Sequence, residues 1–132
     1  MGSIRKRVSL AAPLDEVWSA VRDFGAVHER LVPGFAVSTK LDGTDRIVTF
    51  ASGAVQREPL VVLDDERHRL VYTAVDSVLG ATHYNAAVEV QAADSGSGTT
   101  LDWVVDFLPD DISDRLDAAM DMGAAAMRAT LT

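Results

Sequence analysis

No cysteine occurs in the sequence, which excludes disulfide bonds, thiolate catalysis and thiolate metal sites and is compatible with a reducing cytoplasm. The longest apolar runs are far shorter than the roughly 20 residues that a membrane-spanning helix needs. The N-terminal segment MGSIRKRVSL contains no apolar stretch of signal-peptide length. We therefore expect a cytoplasmic protein without a membrane span.

Positive charge is also scarce in this chain. Twelve Lys and Arg residues stand against 20 Asp and Glu residues, so the net charge is −8. A surface of this sign repels phosphate backbones and anionic membranes, and nucleic acid is therefore not expected as a partner. The length of 132 residues, 48% of them hydrophobic, predicts one globular domain over residues 1–132.

The sequence lacks the motifs that are typical of a phosphate-binding loop, a metal site or a catalytic nucleophile. Gly96-Ser97-Gly98 joins two predicted strands rather than a strand and a helix N-terminus, so it does not form a phosphate loop. No Gly-x-Ser-x-Gly nucleophile elbow is present. His28, His68 and His83 do not have the spacing of a metal site. We predict neither a metal nor another cofactor.

The pattern of apolar residues predicts an α+β fold. Alternation predicts seven strands, over residues 4–10, 35–41, 46–50, 55–63, 69–75, 81–91 and 99–107. Spacings of three and four predict a helix after Pro13, a short second one over residues 26–31 and a long one over residues 111–131. Short turns between most strands favour an antiparallel sheet, and the last helix needs the inner face of that sheet to cover its apolar stripe.

The segment from Arg57 to Tyr84 indicates one wall of an apolar pocket that contains a few polar side chains. If Leu60 and Val62 point inward, the strand period of two places Glu58 on the same inner face. Tyr84 has the inward phase on the following strand. A carboxylate among apolar residues is costly, so Glu58 is expected to contact a ligand, to pair with an arginine or to lie near solvent at the mouth of a cavity.

The last predicted helix has a thin apolar stripe. Its centre consists of Met120, Gly123, Ala124 and Met127 rather than of leucine and phenylalanine. Small residues that face a concave sheet leave volume unfilled, and methionine adapts to ligands of varied shape. The alternative is that large side chains of the sheet, such as Trp103, fill the gap. We favour a cavity.

Four segments mark the order of these elements: Ala12–Trp18 at the first helix, Leu60–His68 in the central hairpin, His83-Tyr84, and Trp103–Pro109 in the last strand. In their order and spacing they resemble the helix-grip (SRPBCC) superfamily, in which an Asn-Tyr pair takes the place of His83-Tyr84. This group includes birch-pollen-allergen-like proteins, START lipid-transfer domains, polyketide cyclase/dehydrase-like proteins and plant abscisic-acid receptors. The resemblance implies a curved seven-stranded antiparallel sheet around a long C-terminal helix, two short helices between strands one and two, and an enclosed cavity.

The sequence departs from the hormone receptors of this superfamily at the positions that sense the hormone. Glu29 stands where the receptors have a lysine for the carboxylate of the hormone. Leu79-Gly80-Ala81 replaces the His-Arg-Leu of their second gating loop, and only Ser52-Gly53 remains of their first one. Hormone sensing is therefore not expected, and the chain resembles most the small bacterial cyclase-like proteins.

Three functions are compatible with these residues. The first is binding or carrying a small, mostly apolar ligand, with Glu58, Tyr72 and Tyr84 as polar contacts. The second is a cyclase, dehydratase or isomerase for a polyketide- or steroid-like carbonyl compound, with Glu58 as acid or base. The third is a protein-interaction module with a collapsed cavity. We favour the first, with a small hydrophobic molecule as the partner.

Inward strand phases and the helix stripe converge on one set of predicted ligand-binding residues. The expected volume of their cavity is at or below about 300 Å³, the lower end for ligand sites. Val61, Val71 and Val104 have the outward phase, and the chain is expected to be a monomer or a weak homodimer. The predicted ligand-binding residues are Glu58, Tyr72, Ala74, Tyr84, Ala86, Trp103, Met120, Ala124 and Met127.

Overall fold

The computed structural model describes all residues from 1 to 132. Seven strands form one antiparallel sheet in the order β1-β7-β6-β5-β4-β3-β2, so that β2 to β7 follow one another as neighbours and β1 returns to pair with β7. The strands are β1 (Gly2–Leu10), β2 (Ala36–Asp42), β3 (Asp45–Phe50), β4 (Val55–Asp64), β5 (Arg69–Thr73), β6 (His83–Ala92) and β7 (Thr99–Leu108).

The helices lie in the two places that the sequence predicts. Between β1 and β2 the chain forms α1 (Leu14–Arg22), a 3-10 turn (Phe24–Ala26) and α2 (Val27–Arg30). After β7, a second 3-10 turn (Asp110–Ile112) leads into α3 (Ser113–Thr130). The predicted α+β arrangement, a seven-stranded antiparallel sheet with a long C-terminal helix, is confirmed. No helix is long and apolar enough to cross a membrane.

The C-terminal helix packs its thin apolar stripe against the inner face of the sheet. Leu116, Met120 and Met127 on α3 are buried, as Ile112 is in the turn before it. At Gly123 the helix lies close to the indole of Trp103 on β7, because a Cβ atom there would lie only 3.0 Å from Cζ3 of that ring. The small residues of the stripe therefore bring α3 close to the sheet at this point.

The boundaries differ from the prediction where loops replace the ends of elements. β5 ends at Thr73 rather than at residue 75, and β6 begins at His83 rather than at residue 81. The intervening loop contains Asp76 and Gly80, both with a positive φ, of 57° and 79°. These two residues turn the chain just outside the predicted strands, and Val75 forms only an isolated bridge with Arg57, so the alternating pattern overestimates both strands.

A β-bulge in β4 corrects the predicted inward phase of Val62. Leu60 pairs with Tyr72, but Val62 pairs with Val71 and Leu63 with Leu70, so one extra residue lies between the two pairs. The extra residue reverses the alternation. Leu60 and Leu63 pack against the core, whereas Val62 lies with Val71 on the outer face.

The outer face of the sheet carries a short apolar row across four strands. The register aligns Val62 with Val71, Val71 with Ala87, and Ala87 with Val104. Val71 is buried within this row, while Val61, which belongs to the bulge, is 55% exposed. Of the three valines predicted to point outward, Val71 and Val104 belong to this row. Val62 belongs to it instead of Val61.

Candidate functional site

A cavity of about 270 Å³ lies between the inner face of the sheet, α3 and the segment that contains α1 and α2. Twenty-one of its 25 lining residues are hydrophobic, and the four others are Arg46, Ser52, Gln56 and Glu58. Two further lining residues, Val78 and Met122, are exposed, so the cavity opens to solvent beside them. The molecule therefore contains a mainly apolar chamber with a small polar region.

Six of the nine predicted ligand-binding residues line this cavity, and three do not. The lining includes Glu58, Tyr72, Tyr84, Trp103, Met120 and Met127. Ala86 and Ala124 are buried in the core, and Ala74 follows the end of β5 and packs against the core. Other alanines, Ala36, Ala51 and Ala119, do line the cavity, so the position of these three residues rather than the size of their side chains keeps them out of the lining.

The lining also includes residues that the strand and helix phases did not indicate. Val21 on α1, and Val27 and Leu31 at α2, contribute to the lining from the helical segment between β1 and β2. Leu79, in the loop between β5 and β6, contributes beside Val78. These residues come from irregular or short elements, where apolar periodicity says little about which way a side chain points.

Glu58 is not a lone carboxylate, because Arg46 is its direct partner. Arg46 on β3 stands opposite Glu58 on β4 in the sheet register. Its Nε donates a hydrogen bond to Oε1 of Glu58 at 2.7 Å, and both side chains are buried. Of the alternatives considered from the sequence, pairing with an arginine is the one the structure contains. Arg46 could have been found from the inward phase that it shares with Val48.

The second carboxylate oxygen of Glu58 has its own donor. Nε2 of Gln56 donates to Oε2 of Glu58 at 2.6 Å. Gln56 also accepts a hydrogen bond at Oε1 from the backbone N–H of Val78, at 3.2 Å. One amide side chain therefore joins the carboxylate to the loop between β5 and β6 that forms part of the cavity wall.

Aromatic rings enclose the guanidinium group of Arg46. Its Cζ lies 4.0 Å from the centroid of the Phe24 ring and 4.7 Å from that of the Tyr72 ring. Nη1 of Arg46 donates to the carbonyl oxygen of Phe24 at 3.4 Å. Cation–π contacts favour a cation that has been removed from water. The only two charged residues of the wall thus neutralise each other inside the protein.

The two tyrosines of the wall are held in the neutral form. The pKa of Tyr72 is raised well above 10.0, first by burial and then by the negative charge of Glu58. Burial also raises the pKa of Tyr84, with Tyr72 and Glu58 adding to the effect. A neutral phenol keeps its proton and remains a hydrogen-bond donor. The polar region therefore presents donors rather than charges.

Trp103 carries the one buried side-chain polar atom without a hydrogen-bond partner. Its Nε1 approaches the hydroxyl of Tyr72 but makes no hydrogen bond of acceptable geometry. The other tryptophan, Trp18, donates from Nε1 to Oδ1 of Asp65 at 2.9 Å. Trp18 therefore joins α1 to the turn between β4 and β5.

The histidines lie away from the cavity wall. His28 is mostly buried; its Nδ1 is 2.9 Å from Oγ1 of Thr39 and its Nε2 is 3.2 Å from a carboxylate oxygen of Glu29. His83 is exposed on the outer face, as its phase predicts. No group of three or more His, Asp or Glu side chains is arranged to hold a metal ion.

The order of the sheet, the two short helices after β1 and the C-terminal helix over the cavity define a helix-grip protein. The chain belongs to the family described as polyketide cyclase / dehydrase and lipid transport, whose model matches residues 1–132. The resemblance inferred from the sequence is thereby confirmed. A search of curated protein sequences finds no significant match.

Solved structures from several organisms share this architecture. The protein XoxI from Bacillus cereus superposes with a TM-score of 0.89 at 17% identity, covering 99% of this chain and 96% of its own. A protein from Thermobifida fusca gives 0.75 at 27% identity, with 94% and 85% covered. A Thalictrum norcoclaurine synthase mutant, bound to a transition-state analogue, gives 0.71 at 18% identity, with 98% and 93% covered.

Proposed function

We propose that this protein binds or carries a small, mostly apolar molecule in the cavity between the sheet and α3. The composition of the wall carries the proposal, because 21 of 25 lining residues are hydrophobic and the two charged ones pair with each other. Sites for small molecules are typically apolar chambers with a few placed polar groups. The family description, which names lipid transport beside cyclase and dehydrase activity, agrees with this function.

Catalysis by Glu58 is the second candidate function. It is favoured by the position of Glu58 in the same wall as Tyr72 and Tyr84. However, both carboxylate oxygens already accept hydrogen bonds, from Arg46 and from Gln56. A substrate proton would have to reach a remaining lone pair on an oxygen that Arg46 or Gln56 already holds in place. The arrangement therefore supports a binding role for this region more than an acid–base role.

The size of the chamber limits the ligand to a compact molecule. About 270 Å³ lies just below the range of roughly 300 to 1,000 Å³ that is usual for ligand sites. A long acyl chain would exceed that volume unless part of it remained outside. An open chamber of this size also argues against the third function considered from the sequence, an interaction module with a collapsed cavity.

Two neighbouring alanines of α3 offer a matched test of this proposal. Ala119 lines the cavity, whereas Ala118 is exposed on the same helix and does not line it. The experiment measures binding of the uncharged dye N-phenyl-1-naphthylamine by fluorescence and identifies co-purifying compounds by native mass spectrometry. Ala119→Phe should reduce dye affinity at least tenfold by filling the chamber, while Ala118→Phe should leave it within twofold.

The outcomes of this test separate the candidates. Equal affinity in both variants, with circular dichroism showing both folded, would place dye binding outside the cavity and overturn the proposal. A carbonyl compound that is bound and also chemically converted, with conversion lost in Ala119→Phe, would instead favour the enzyme.

A further inference from the structure

The polar region of the cavity contains no charge that a ligand could neutralise. Arg46 and Glu58 are the only charged lining residues, and they are joined at 2.7 Å. A carboxylate or ammonium group that entered this chamber would lose its hydration without gaining a free counter-charge. The wall therefore favours an uncharged ligand. This step rests on the proposed binding function.

The unpartnered N–H donor of Trp103 indicates which polar group the uncharged ligand carries. An indole N–H can donate a hydrogen bond but cannot accept one. Trp103 lines the cavity, only 7% of the residue is exposed, and its Nε1 has no hydrogen-bond partner. A buried donor without an acceptor lowers stability, so an acceptor placed there by a ligand would recover that loss.

The groups beside this donor strengthen the same preference. Tyr72 and Tyr84 lie in the same wall, with ring centroids 6.5 Å apart. Both pKa values are raised by burial and by Glu58, so both hydroxyls keep their protons and can donate. In contrast, the amide of Gln56 already serves Glu58 and Val78. The Tyr72 hydroxyl lies near both the Tyr84 hydroxyl and Trp103 Nε1, so these polar groups lie together in one part of the wall.

We propose that Trp103 Nε1 is a ligand-recognising donor and that the ligand is a compact, uncharged, mainly apolar molecule with a carbonyl or ether oxygen facing it. The oxygen accepts from the indole N–H, with the Tyr72 hydroxyl as the neighbouring polar group. The apolar remainder of the molecule occupies the hydrophobic part of the chamber, between the sheet and the methionines of α3.

A pair of small probes differing only at one carbon tests this assignment. 1-Indanone carries a carbonyl where indane carries a methylene group, and both fit within about 270 Å³. Dissociation constants are measured by NMR titration of the wild type, of Trp103→Phe and of Trp18→Phe. The ratio of the two constants is compared between proteins, because this comparison cancels the different hydration of the probes.

The preference for 1-indanone should fall about two- to tenfold in Trp103→Phe, the range for one neutral hydrogen bond. Trp18→Phe should leave the preference unchanged, because the indole of Trp18 donates to Asp65 instead. In the wild type, the indole N–H resonance of Trp103 should move downfield with 1-indanone but not with indane. This last measurement needs no variant and is unaffected by any loss of folding.

A charged probe tests the preference for an uncharged ligand. Indane-2-carboxylate should bind more weakly than either neutral probe.

The failure of this inference differs from the failure of the proposed function. Equal preference in the wild type and Trp103→Phe, with an unmoved indole resonance, would overturn the role of Trp103 while leaving the cavity as a binding site. Tighter binding of the carboxylate would overturn the preference for an uncharged ligand. Absence of binding by both neutral probes and by the dye would overturn the binding function and this inference with it.

Discussion

Arg46 and Glu58 face each other across β3 and β4, and Nε of Arg46 donates to Oε1 of Glu58 at 2.7 Å. Only 7% and 5% of their side chains are exposed. Removing one member of such a pair leaves an uncompensated buried charge, which costs more than the pair itself contributes to stability. The wall of the cavity is therefore sensitive to single substitutions here and more tolerant of paired ones.

Glu58→Gln should lower the free energy of unfolding by about 3–5 kcal/mol, because Arg46 remains buried without a counter-charge. Urea unfolding measures this loss. The double variant Arg46→Met/Glu58→Gln should lose less than the sum of the two single variants. The control is Arg57→Gln, which removes the partly exposed ion pairs to Asp42 and Asp45 and should cost much less, because exposed ion pairs contribute little to stability. A Glu58→Gln loss as small as that of the control would contradict the buried pairing.

The two tyrosines of this chain should resist ionisation while it is folded. Tyr72 and Tyr84 are its only tyrosines, and burial raises both pKa values above 10.0. The raised pKa stabilises the fold below about pH 10, and this contribution is lost as the pH rises from the unfolded value toward the folded one. Absorbance at 295 nm should therefore change together with the circular dichroism. A phenolate signal near pH 10 in folded protein would contradict the burial.

The effect of adding a methyl group at position 123 should depend on Trp103. Gly123→Ala gains helix propensity of about 1 kcal/mol, but the new Cβ would lie 3.0 and 3.1 Å from Cζ3 and Cη2 of the indole. We expect net destabilisation in the wild type. In the Trp103→Phe background those two atoms are absent, so the same substitution should stabilise by about 0.5–1 kcal/mol. Urea unfolding of the four proteins gives the comparison, and the same sign in both backgrounds would refute it.

The ion pairs of Asp102 on the outer face should make the stability of the fold depend on pH. Arg7 first, and Arg5 after it, hold the pKa of Asp102 below 3.8. A lowered folded pKa gives stability that is present above about pH 4 and is lost as the pH falls through the folded value. Asp102→Asn should therefore destabilise at pH 7, and its difference from the wild type should shrink at lower pH. The matched control is Asp106→Asn on the same strand and face, because Asp106 forms no ion pair; a pH-independent difference for Asp102→Asn would contradict the mechanism.

The local order of strands and helices could be predicted because it depends on patterns within short segments. The unbroken alternation of β6 and β7 placed Tyr84 and Trp103 on the inner face, and the stripe of α3 placed Met120 there. The same period of two failed in β4, because the bulge after Leu60 adds a residue without changing the composition of the strand. A bulge depends on pairing with the neighbouring strand and leaves little trace in the sequence itself.

The chemistry of the cavity depended on contacts between distant residues. The sequence by itself determined that Glu58 and the two tyrosines share an inner face, because side chains of a strand alternate with a fixed period. Only the tertiary structure decided that Arg46 neutralises Glu58, that Gln56 joins it to the loop at Val78, and that Trp103 Nε1 lacks a partner. Hydrogen bonds form over about 3 Å, and positions defined to that accuracy arise only when the whole sheet and α3 have packed together.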